Sequence, residues 1–229
     1  LPGLCGPDER AWSADRMIIA IDGPAASGKG TVAKRIAAHY GLPHLDTGAL
    51  YRAVARDTVA RGDDLTDPAV AAAAAGHLDV DTLDDPALRT AGVGEAASIV
   101  ARHGEVRAVL LEYQRRFAKN PAGAVIDGRD IGTVICPDAD VKLFVTASSE
   151  ERAHRRYLEL RESGIRISED EVLADIRNRD ARDRTREASP LRQAEDAALL
   201  DTTNLDIDAA FRAAIDLIEA AMGQAGQVG

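Results

Sequence analysis

Residues 23–31, with the sequence GPAASGKGT, have the residue types and spacing of a loop that binds phosphate. The glycines allow several backbone N–H groups to face one centre, and Lys29 adds a positive charge for the β- and γ-phosphates of a nucleotide. An apolar run precedes the loop and a helical pattern follows it, and a helix N-terminus favours a bound anion. Gly30 stands where a Ser or Thr would offer a hydroxyl, which comes one residue later at Thr31. Direct coordination of magnesium by this loop is therefore less well supported.

A second group of charged residues lies on a predicted helix late in the chain. Its apolar positions Val172 and Ile176 define an inward stripe, which helical spacing extends to Arg179, Asp183 and Arg186. Burying a charge is costly unless the charge is paired or meets a ligand. Two arginines around one aspartate suit a small molecule with a phosphate and a hydrogen-bond donor. A solvated, salt-bridged helix face is the ordinary alternative, but the alignment with the apolar stripe favours a ligand site.

Two acidic motifs occupy the ends of predicted strands. DGRD at residues 127–130 directly follows a buried strand, and DTG at residues 46–48 follows another, with Arg52 one helical turn beyond. In parallel sheets ligands bind beyond the carboxyl ends of the strands, and a strand-end aspartate beside a phosphate loop commonly organises magnesium. Asp127 is therefore a candidate for that role, although both motifs also fit ordinary tight turns.

Capping boxes predict the starts of two helices. One pairs Ser148 with Glu151, and the other pairs Ser168 with Glu171. On the first of these helices, i, i+3 and i+4 spacing gives one shared face to Arg152, Arg155 and Arg156.

The elements that must position these residues alternate between strands and helices. Helical spacing predicts helices between the strands, and apolar runs predict strands at residues 17–21, 44–46, 124–126, 141–145 and 197–200. We expect one helix over residues 96–117 and a last one over residues 208–222. This order predicts an α/β fold, with a parallel sheet covered by helices on both faces. Residues 62–95 are rich in acidic and small side chains, and we expect an exposed insertion at the edge of the core.

Composition narrows the function classes. The length of 229 residues suits one globular domain, which we expect over residues 17–229 after a flexible extension at residues 1–16. The net charge of −10 argues against binding of a nucleic acid polymer, which needs clustered positive charge. No apolar run approaches the about 18 residues of a membrane span, residues 1–16 do not resemble a secretory signal, and two cysteines do not make a disulfide framework. We expect a cytoplasmic protein, and a monomer.

Several motifs together resemble those of bacterial cytidylate kinases, which are nucleoside monophosphate kinases of the P-loop class. Among them are IDGPAASGKGT at residues 21–31, LDTGALYR at 45–52, DGRDIGTVICPDADVK at 127–142 and RDARDRTR at 179–186. The resemblance implies a P-loop kinase core with an NMP-binding insertion at about residues 62–95 and a lid at about residues 152–170. It also implies the reaction ATP + (d)CMP → ADP + (d)CDP, with Mg²⁺ as cofactor and with ATP and CMP or dCMP as the bound partners.

The resemblance also implies a role for each group of candidate residues. The ATP phosphates would be held by Gly23, Pro24, Ala25, Ala26, Ser27, Gly28, Lys29, Gly30 and Thr31. A mobile lid over ATP would carry Arg152 and Arg156. The cytosine would be recognised by Thr47, Arg179 and Asp183. The acceptor phosphate would be held by Arg52, Arg107 and Arg129. The ribose or its neighbours would be contacted by Ser98, Asp130 and Arg186. The catalytic set would be Lys29, Arg129, Asp130 and Arg186, with Asp127 in the water shell of magnesium.

The acceptor in such a reaction is a phosphate oxygen that is already ionised, so no general base is needed. We accordingly expect surface or structural roles for the five histidines, His39, His44, His77, His103 and His154. Two alternatives stay open from the residues alone. One is a P-loop kinase for another small acceptor, such as AMP, UMP or shikimate. The other is a nucleotide-binding switch protein, against which stands the absence of a guanine-reading Asn-Lys-x-Asp.

Overall fold

A computed structural model of the chain describes residues 17–90 and 92–225, and the extension predicted for residues 1–16 lies outside this part. The sheet contains β1 (Ile18–Asp22), β2 (His44–Asp46), β3 (Ala124–Gly128), β4 (Val141–Thr146) and β5 (Ala198–Asp201). All pairs are parallel, in the order β2-β3-β1-β4-β5, so β1 lies at the centre. The predicted strands are confirmed, with slightly shifted ends.

Helices cover both faces of this sheet, as predicted. They are α1 (Lys29–Tyr40), α2 (Thr47–Ala60), α3 (Pro68–Gly76), α4 (Val93–Val100), α5 (Gly104–Ala118), α6 (Ser149–Glu162), α7 (Glu169–Thr185) and α8 (Ile207–Ala225). The central strand shows the division: Ile19 and Ile21 pack with α1 and α8, whereas Ala20 packs with side chains from α2 to α5. All three are fully buried. None of these helices is long and apolar enough to cross a membrane.

The single helix expected over residues 96–117 is wrong, because α4 and α5 are separate. The chain turns between Val100 and Gly104, where His103 has an extended backbone at the N-terminus of α5. The His103 ring lies 2.9 Å from the carbonyl oxygen of Leu65, which ties the break to the segment before α3. Apolar spacing continues through both helices, so periodicity did not reveal the break.

The sequence predicted an exposed insertion over residues 62–95, but part of its alanine-rich segment is buried. Pro68 opens α3, and the Asp67 side chain accepts hydrogen bonds from two backbone N–H groups of its first turn. Ala71, Ala74 and Ala75 are buried in the same core as α2 and α5. Small side chains allow this close helix packing, so the absence of long apolar residues did not mean exposure.

The parallel arrangement gathers the candidate residues at one edge of the sheet. The carboxyl ends of all five strands meet there, and ligands in such folds bind beyond that edge. The phosphate loop follows β1, α2 follows β2, Arg129 and Asp130 follow β3, and Thr202 follows β5. The fold therefore brings residues from distant parts of the sequence to a single cleft.

Candidate active site

The loop between β1 and α1 is shaped by backbone conformations that favour glycine. Gly23 has a φ of 155°, and a Cβ there would lie 2.0 Å from the carbonyl oxygen of Val145. Gly28, with φ 82°, precedes the first residue of α1, and Ala26 also has a positive φ of 58°. Only glycine accommodates the Gly23 geometry. The resulting curl presents the N-terminus of α1, as phosphate binding requires.

Contacts from outside the loop hold it in place. The Thr202 hydroxyl donates to the Ser27 carbonyl at 3.0 Å, and Arg152 Nη1 donates to the Ala25 carbonyl at 3.2 Å. A cavity of about 990 Å³ opens beside the loop, large enough for a nucleotide. Its other lining residues include Arg155, Thr202 and residues 205–208.

Lys29 and His44 flank the carboxylate of Asp127. Lys29 Nζ lies 3.1 Å from Asp127 Oδ2, and His44 Nε2 lies 2.8 Å from Oδ1. Burial alone would raise the pKa of Asp127, but the charge of Lys29 and the hydrogen bond with His44 lower this pKa to about 2. Burial also lowers the pKa of Lys29, and the negative charge of the Asp127 carboxylate opposes this shift. Asp127 is thus ionised at neutral pH.

Sequence reasoning missed the position of His44 in this site. A signal was present, because the two-residue period of a strand gives His44 and Asp46 the same face of β2. Asp46 is the register partner of Asp127 in the neighbouring strand β3. A reaction without a general base predicts no catalytic role for a histidine, and only the pairing of β2 with β3 brings His44 to Asp127.

The charged stripe predicted on α7 does point inward. Asp183 is buried along with Val172 and Ile176, and Arg129 Nε donates to Asp183 Oδ2 at 2.9 Å. Although burial works against it, the guanidinium of Arg129 holds the pKa of Asp183 below its usual value. Burial, together with the charge of Arg129, lowers the pKa of Arg179 to about 10.

Asp183 with Arg129 and Arg179 forms one cluster of a carboxylate and two arginines. Asp130 with Arg107 and Arg186 forms a second cluster of the same kind. Arg107 Nη2 donates to Asp130 Oδ2, and Arg186 Nη2 lies 3.7 Å from Oδ1. All three residues are buried, and Arg107 also lies over the ring of Tyr51, 5.6 Å from its centroid. Arg186 ends α7 with an extended backbone and is held by the Ser189 carbonyl at 2.6 Å. Two acid–arginine clusters, rather than the one expected from the sequence, therefore form around the residues that follow β3, Arg129 and Asp130.

The last residue of β2 and the first turns of α2 contribute a further charged pair. Arg52 Nη2 donates to Asp46 Oδ2 at 2.6 Å. The hydroxyl of Thr47 donates to the Asp127 carbonyl at 2.8 Å, so it already has a partner within the protein. Ser98, on α4, is buried with a free hydroxyl.

Buried polar atoms without partners mark this cleft. Within the described ranges, several buried side-chain atoms that lack a hydrogen-bond partner belong to predicted site residues, namely Ser27, Arg52, Ser98, Arg179 and Arg186. Native proteins satisfy nearly all buried polar groups, and exceptions need an explanation. A polar ligand that supplies the missing acceptors and donors would remove this cost.

Helical spacing places the three arginines of α6 on one face, as predicted, but their surroundings differ. Arg152 is buried, and its Nη1 and Nη2 donate to Asp180 at 2.9 and 2.5 Å. Arg155 lines the cavity and donates to the Thr202 carbonyl at 2.6 Å. Arg156 pairs at the surface with Glu159. Of the three, Arg155 lines the cavity, although the candidate ATP contacts included only Arg152 and Arg156.

The capping boxes at the starts of α6 and α7 are not equivalent. The Ser148 hydroxyl accepts from the Glu151 N–H at 3.1 Å, but the Glu151 side chain bonds Arg155 instead of completing the box. At Ser168 both halves are present. The sequence pattern therefore located both helix starts and overstated the first cap.

Asp180→Ala is expected to lower the free energy of unfolding by about 3–5 kcal/mol, because it leaves the buried guanidinium of Arg152 without its carboxylate counter-ion. Denaturant unfolding followed by circular dichroism measures the change. Asp175→Ala, at an exposed position of the same helix, is the matched control and should differ from the wild type by less than about 0.5 kcal/mol. A similar small loss for Asp180→Ala would contradict a structural role for this pair.

No group of three or more His, Cys, Asp or Glu side chains in the described part of the chain is arranged to hold a metal ion. Asp127 Oδ2 is paired with the ammonium of Lys29 at 3.1 Å but makes no well-aligned hydrogen bond. Magnesium is commonly held by one or two carboxylates together with water and substrate phosphates. The residues present fit an ion held in that way and do not form a protein cage.

Comparisons with known proteins agree with this geometry. A model of the cytidylate kinase family matches residues 19–220. A cytidylate kinase of Rhodopseudomonas palustris strain TIE-1 is 62% identical over 204 residues, which cover 89% of this chain and 96% of that protein. A cytidylate kinase of Xanthobacter autotrophicus is 63% identical over 204 residues, covering 89% of this chain and 98% of its own length.

Solved structures are more distant and bear on the fold alone. A gluconokinase from Sinorhizobium meliloti 1021 superposes with a TM-score of 0.51 at 15% identity, covering 94% of this chain and 99% of that one. An uncharacterized protein from Eubacterium ventriosum gives a TM-score of 0.52 at 18% identity, covering 89% of this chain and 99% of that one. Both agree with the α/β architecture described above.

The family match runs from β1 into α8 and includes the phosphate loop and both acid–arginine clusters. The relatives match along nearly their whole length. On this evidence the chain belongs to the cytidylate kinase family.

Proposed function

We propose that the two sides of this cleft divide the family's reaction, the ATP-dependent phosphorylation of CMP and dCMP, into a donor site and an acceptor site. The single observation that carries this division is the set of unpartnered buried polar atoms at Arg52, Ser98, Arg179 and Arg186, none of which lines the cavity beside the phosphate loop. They match the needs of a small molecule that carries both a phosphate and a polar ring.

On the donor side, residues 23–31 hold the phosphates of ATP, with Lys29 as a point charge at the β- and γ-phosphates. The cavity of about 990 Å³ receives the remainder of the nucleotide. Arg155 joins this side because it lines the cavity. Arg152 supports the loop through the Ala25 carbonyl, and Arg156 belongs to the lid proposed over residues 152–170.

On the acceptor side, the phosphate of CMP is held by guanidinium groups of Arg52, Arg107 and Arg129. Each of these is paired with a carboxylate in the structure, at Asp46, Asp130 and Asp183 respectively. A phosphate that binds there takes over part of these pairings, since it offers more charge and a bidentate partner for the guanidinium. Thr47, Ser98, Arg179 and Arg186 complete the contacts to the base and the ribose.

The chemical step depends on positioning and on charge. The phosphate oxygen of CMP attacks the γ-phosphorus, the bond to the β,γ-bridging oxygen breaks, and ADP leaves. Because the attacking oxygen is ionised near neutral pH, no side chain needs to remove a proton. Lys29, Arg129 and Arg186 stabilise the negative charge on the transferred group, and Asp130 holds the nearby arginines. Mg²⁺, held through water by Asp127, would neutralise charge on the ATP phosphates when bound.

Closure of the lid over ATP would exclude water and so suppress hydrolysis. We place this reaction in a cytoplasmic monomer. A monomer is supported because one chain supplies both sides of the cleft.

The proposal is tested by a coupled assay of ADP release with ATP, Mg²⁺ and a panel of acceptors. CMP and dCMP are expected to outperform UMP and AMP by about 10²-fold or more in kcat/KM, because a site that bonds an exocyclic amino group is left unpaired by UMP. Shikimate is expected to give no ADP above the ATP-only control. Equal rates with UMP would refute recognition of the amino group, and ATP binding without transfer to any acceptor would refute the kinase itself.

A further inference from the structure

Asp22 is a buried carboxylate at the end of β1 that has no role in the sites described above. Its Oδ1 accepts the Ile131 N–H at 2.7 Å, and its Oδ2 accepts the Gly132 N–H at 2.8 Å. The residue is 4% exposed, and burial raises the pKa of Asp22 to about 6 despite these two hydrogen bonds. Burying a carboxylate costs free energy, so a buried Asp22 indicates that its two hydrogen bonds have a structural or functional purpose.

The two N–H groups belong to the first residues of a short π-helical turn, Ile131–Ile135. The first N–H groups of any helical turn have no partner within it, so Asp22 caps this turn from a different strand. The turn begins directly after Asp130, whose backbone leaves the strand conformation with φ −147° and ψ 26°. The Asp130 carbonyl accepts from the N–H groups of Val134 and Ile135. Any movement of the turn therefore moves Asp130 and its neighbour Arg129.

Close packing makes the position of Asp22 specific. A Cβ on Gly132 would lie 3.1 Å from Lys142 Cδ and 3.4 Å from Asp22 Oδ2. The turn thus approaches both β1 and β4 with little space to spare. Shifts that would restore the hydrogen bonds after a change at Asp22 are restricted by this contact.

The phosphate loop begins at the residue after Asp22 but is anchored by other contacts. Thr202 holds the Ser27 carbonyl, and Arg152 holds the Ala25 carbonyl. The Asp22 side chain faces the turn after β3, where both its oxygens find their N–H partners. Its influence should consequently fall on the acceptor side of the cleft more than on the donor side.

We propose that Asp22 is a positioning residue for the acceptor site: by binding the N–H groups of Ile131 and Gly132, it fixes where Arg129 and Asp130 meet CMP. This inference rests on the acceptor roles proposed above for Arg129 and Asp130. It assigns Asp22 no contact with either substrate.

The test separates acceptor from donor. Asp22→Asn keeps the size of the side chain but sets an amide NH₂ against one of the backbone N–H groups. It is expected to raise the KM for CMP by roughly 10- to 10²-fold, since small displacements of binding groups have effects of this order. The Kd for ATP, measured by titration, is expected to stay within about twofold of the wild type. Ile218→Val, a change at a fully buried position of α8, controls for destabilisation and should leave both constants unchanged.

Two parallel variants distinguish the failure of this inference from the failure of the acceptor site. Arg129→Ala and Asp130→Asn should each raise the KM for CMP. If they do and Asp22→Asn does not, or if Asp22→Asn weakens ATP and CMP equally, the inference is overturned while the acceptor site stands. If neither Arg129→Ala nor Asp130→Asn raises the KM for CMP, the proposed acceptor site itself fails.

Two further measurements apply if Asp22→Asn does not fold. Asp22→Ser keeps one hydrogen-bond acceptor and carries the same expectation for the KM of CMP. In the wild-type protein without nucleotide, hydrogen exchange should find the Ile131 and Gly132 amides as slow as strand amides such as Val125. Exchange at the rate of an exposed loop would overturn the capping on which the inference depends.

Discussion

Lys29→Ala is expected to lower kcat for phosphoryl transfer to CMP by at least about 10²–10³-fold, with the fold intact. One preorganised donor to a developing negative charge accounts for an effect of this size, and Lys29 supplies a full charge. Lys29 is the first residue of α1, where the phosphate loop presents its backbone N–H groups. Its Nζ lies 3.1 Å from Oδ2 of Asp127, which is its counter-ion. Removing the ammonium takes charge from the transition state and leaves the buried carboxylate with His44 alone.

The measurement is ADP release at saturating ATP and CMP, accompanied by a thermal melt to verify folding. Lys119→Ala is the matched control, because Lys119 is an exposed lysine after the last residue of α5 and far from the loop. It should keep full turnover. Turnover in Lys29→Ala within about threefold of the wild type would remove the proposed mechanism, whereas loss of ATP affinity alone, with kcat unchanged, would restrict Lys29 to ground-state binding.

The sequence predicted the scaffold well because strands buried on both faces leave a plain signal. Each apolar run became a strand of the parallel sheet, and Ser168 with Glu171 marked the start of α7. The inward direction of Asp183 also followed from spacing, because a helix keeps its apolar stripe on one face. These features depend on local chemistry that one segment of sequence contains.

Features that depend on two distant segments were not predictable in the same way. The pair of Arg152 with Asp180 joins α6 to α7. Asp180 lies four positions after Ile176 on the apolar stripe of α7, but nothing in either helix alone indicates that Arg152 is its partner. His44 meets Asp127 only because β2 and β3 are neighbours in register. Asp22 likewise finds its N–H partners in a turn more than a hundred positions later. Tertiary contact, and not propensity, determined each of these.

Asp183→Asn is expected to reduce the preference for CMP over UMP from about 10²-fold or more to less than about 10-fold. The pKa of Asp183 is held low by Arg129 against the effect of burial, so at neutral pH the carboxylate only accepts hydrogen bonds. It therefore suits the amino group of cytosine and repels the carbonyl oxygen at the same position of uracil. An asparagine amide both accepts and donates, and so accommodates either base. The ratio of the two kcat/KM values is the readout, because lost pairing with Arg129 lowers both.

The matched variant is Asp130→Asn, because Asp130 is also a buried carboxylate beside two arginines, Arg107 and Arg186. Cytosine presents one donor and two acceptors along its edge, and either cluster offers one acceptor and two donors in return. In this proposal Arg129 is the reason why the Asp183 cluster, and not the Asp130 cluster, reads the base. It binds Asp183 through Nε and the acceptor phosphate through its remaining N–H groups. Phosphate binding would then orient the carboxylate that reads the base. If Asp130→Asn abolishes the preference for CMP and Asp183→Asn keeps it, the two clusters exchange roles, and Asp183 belongs to the ribose.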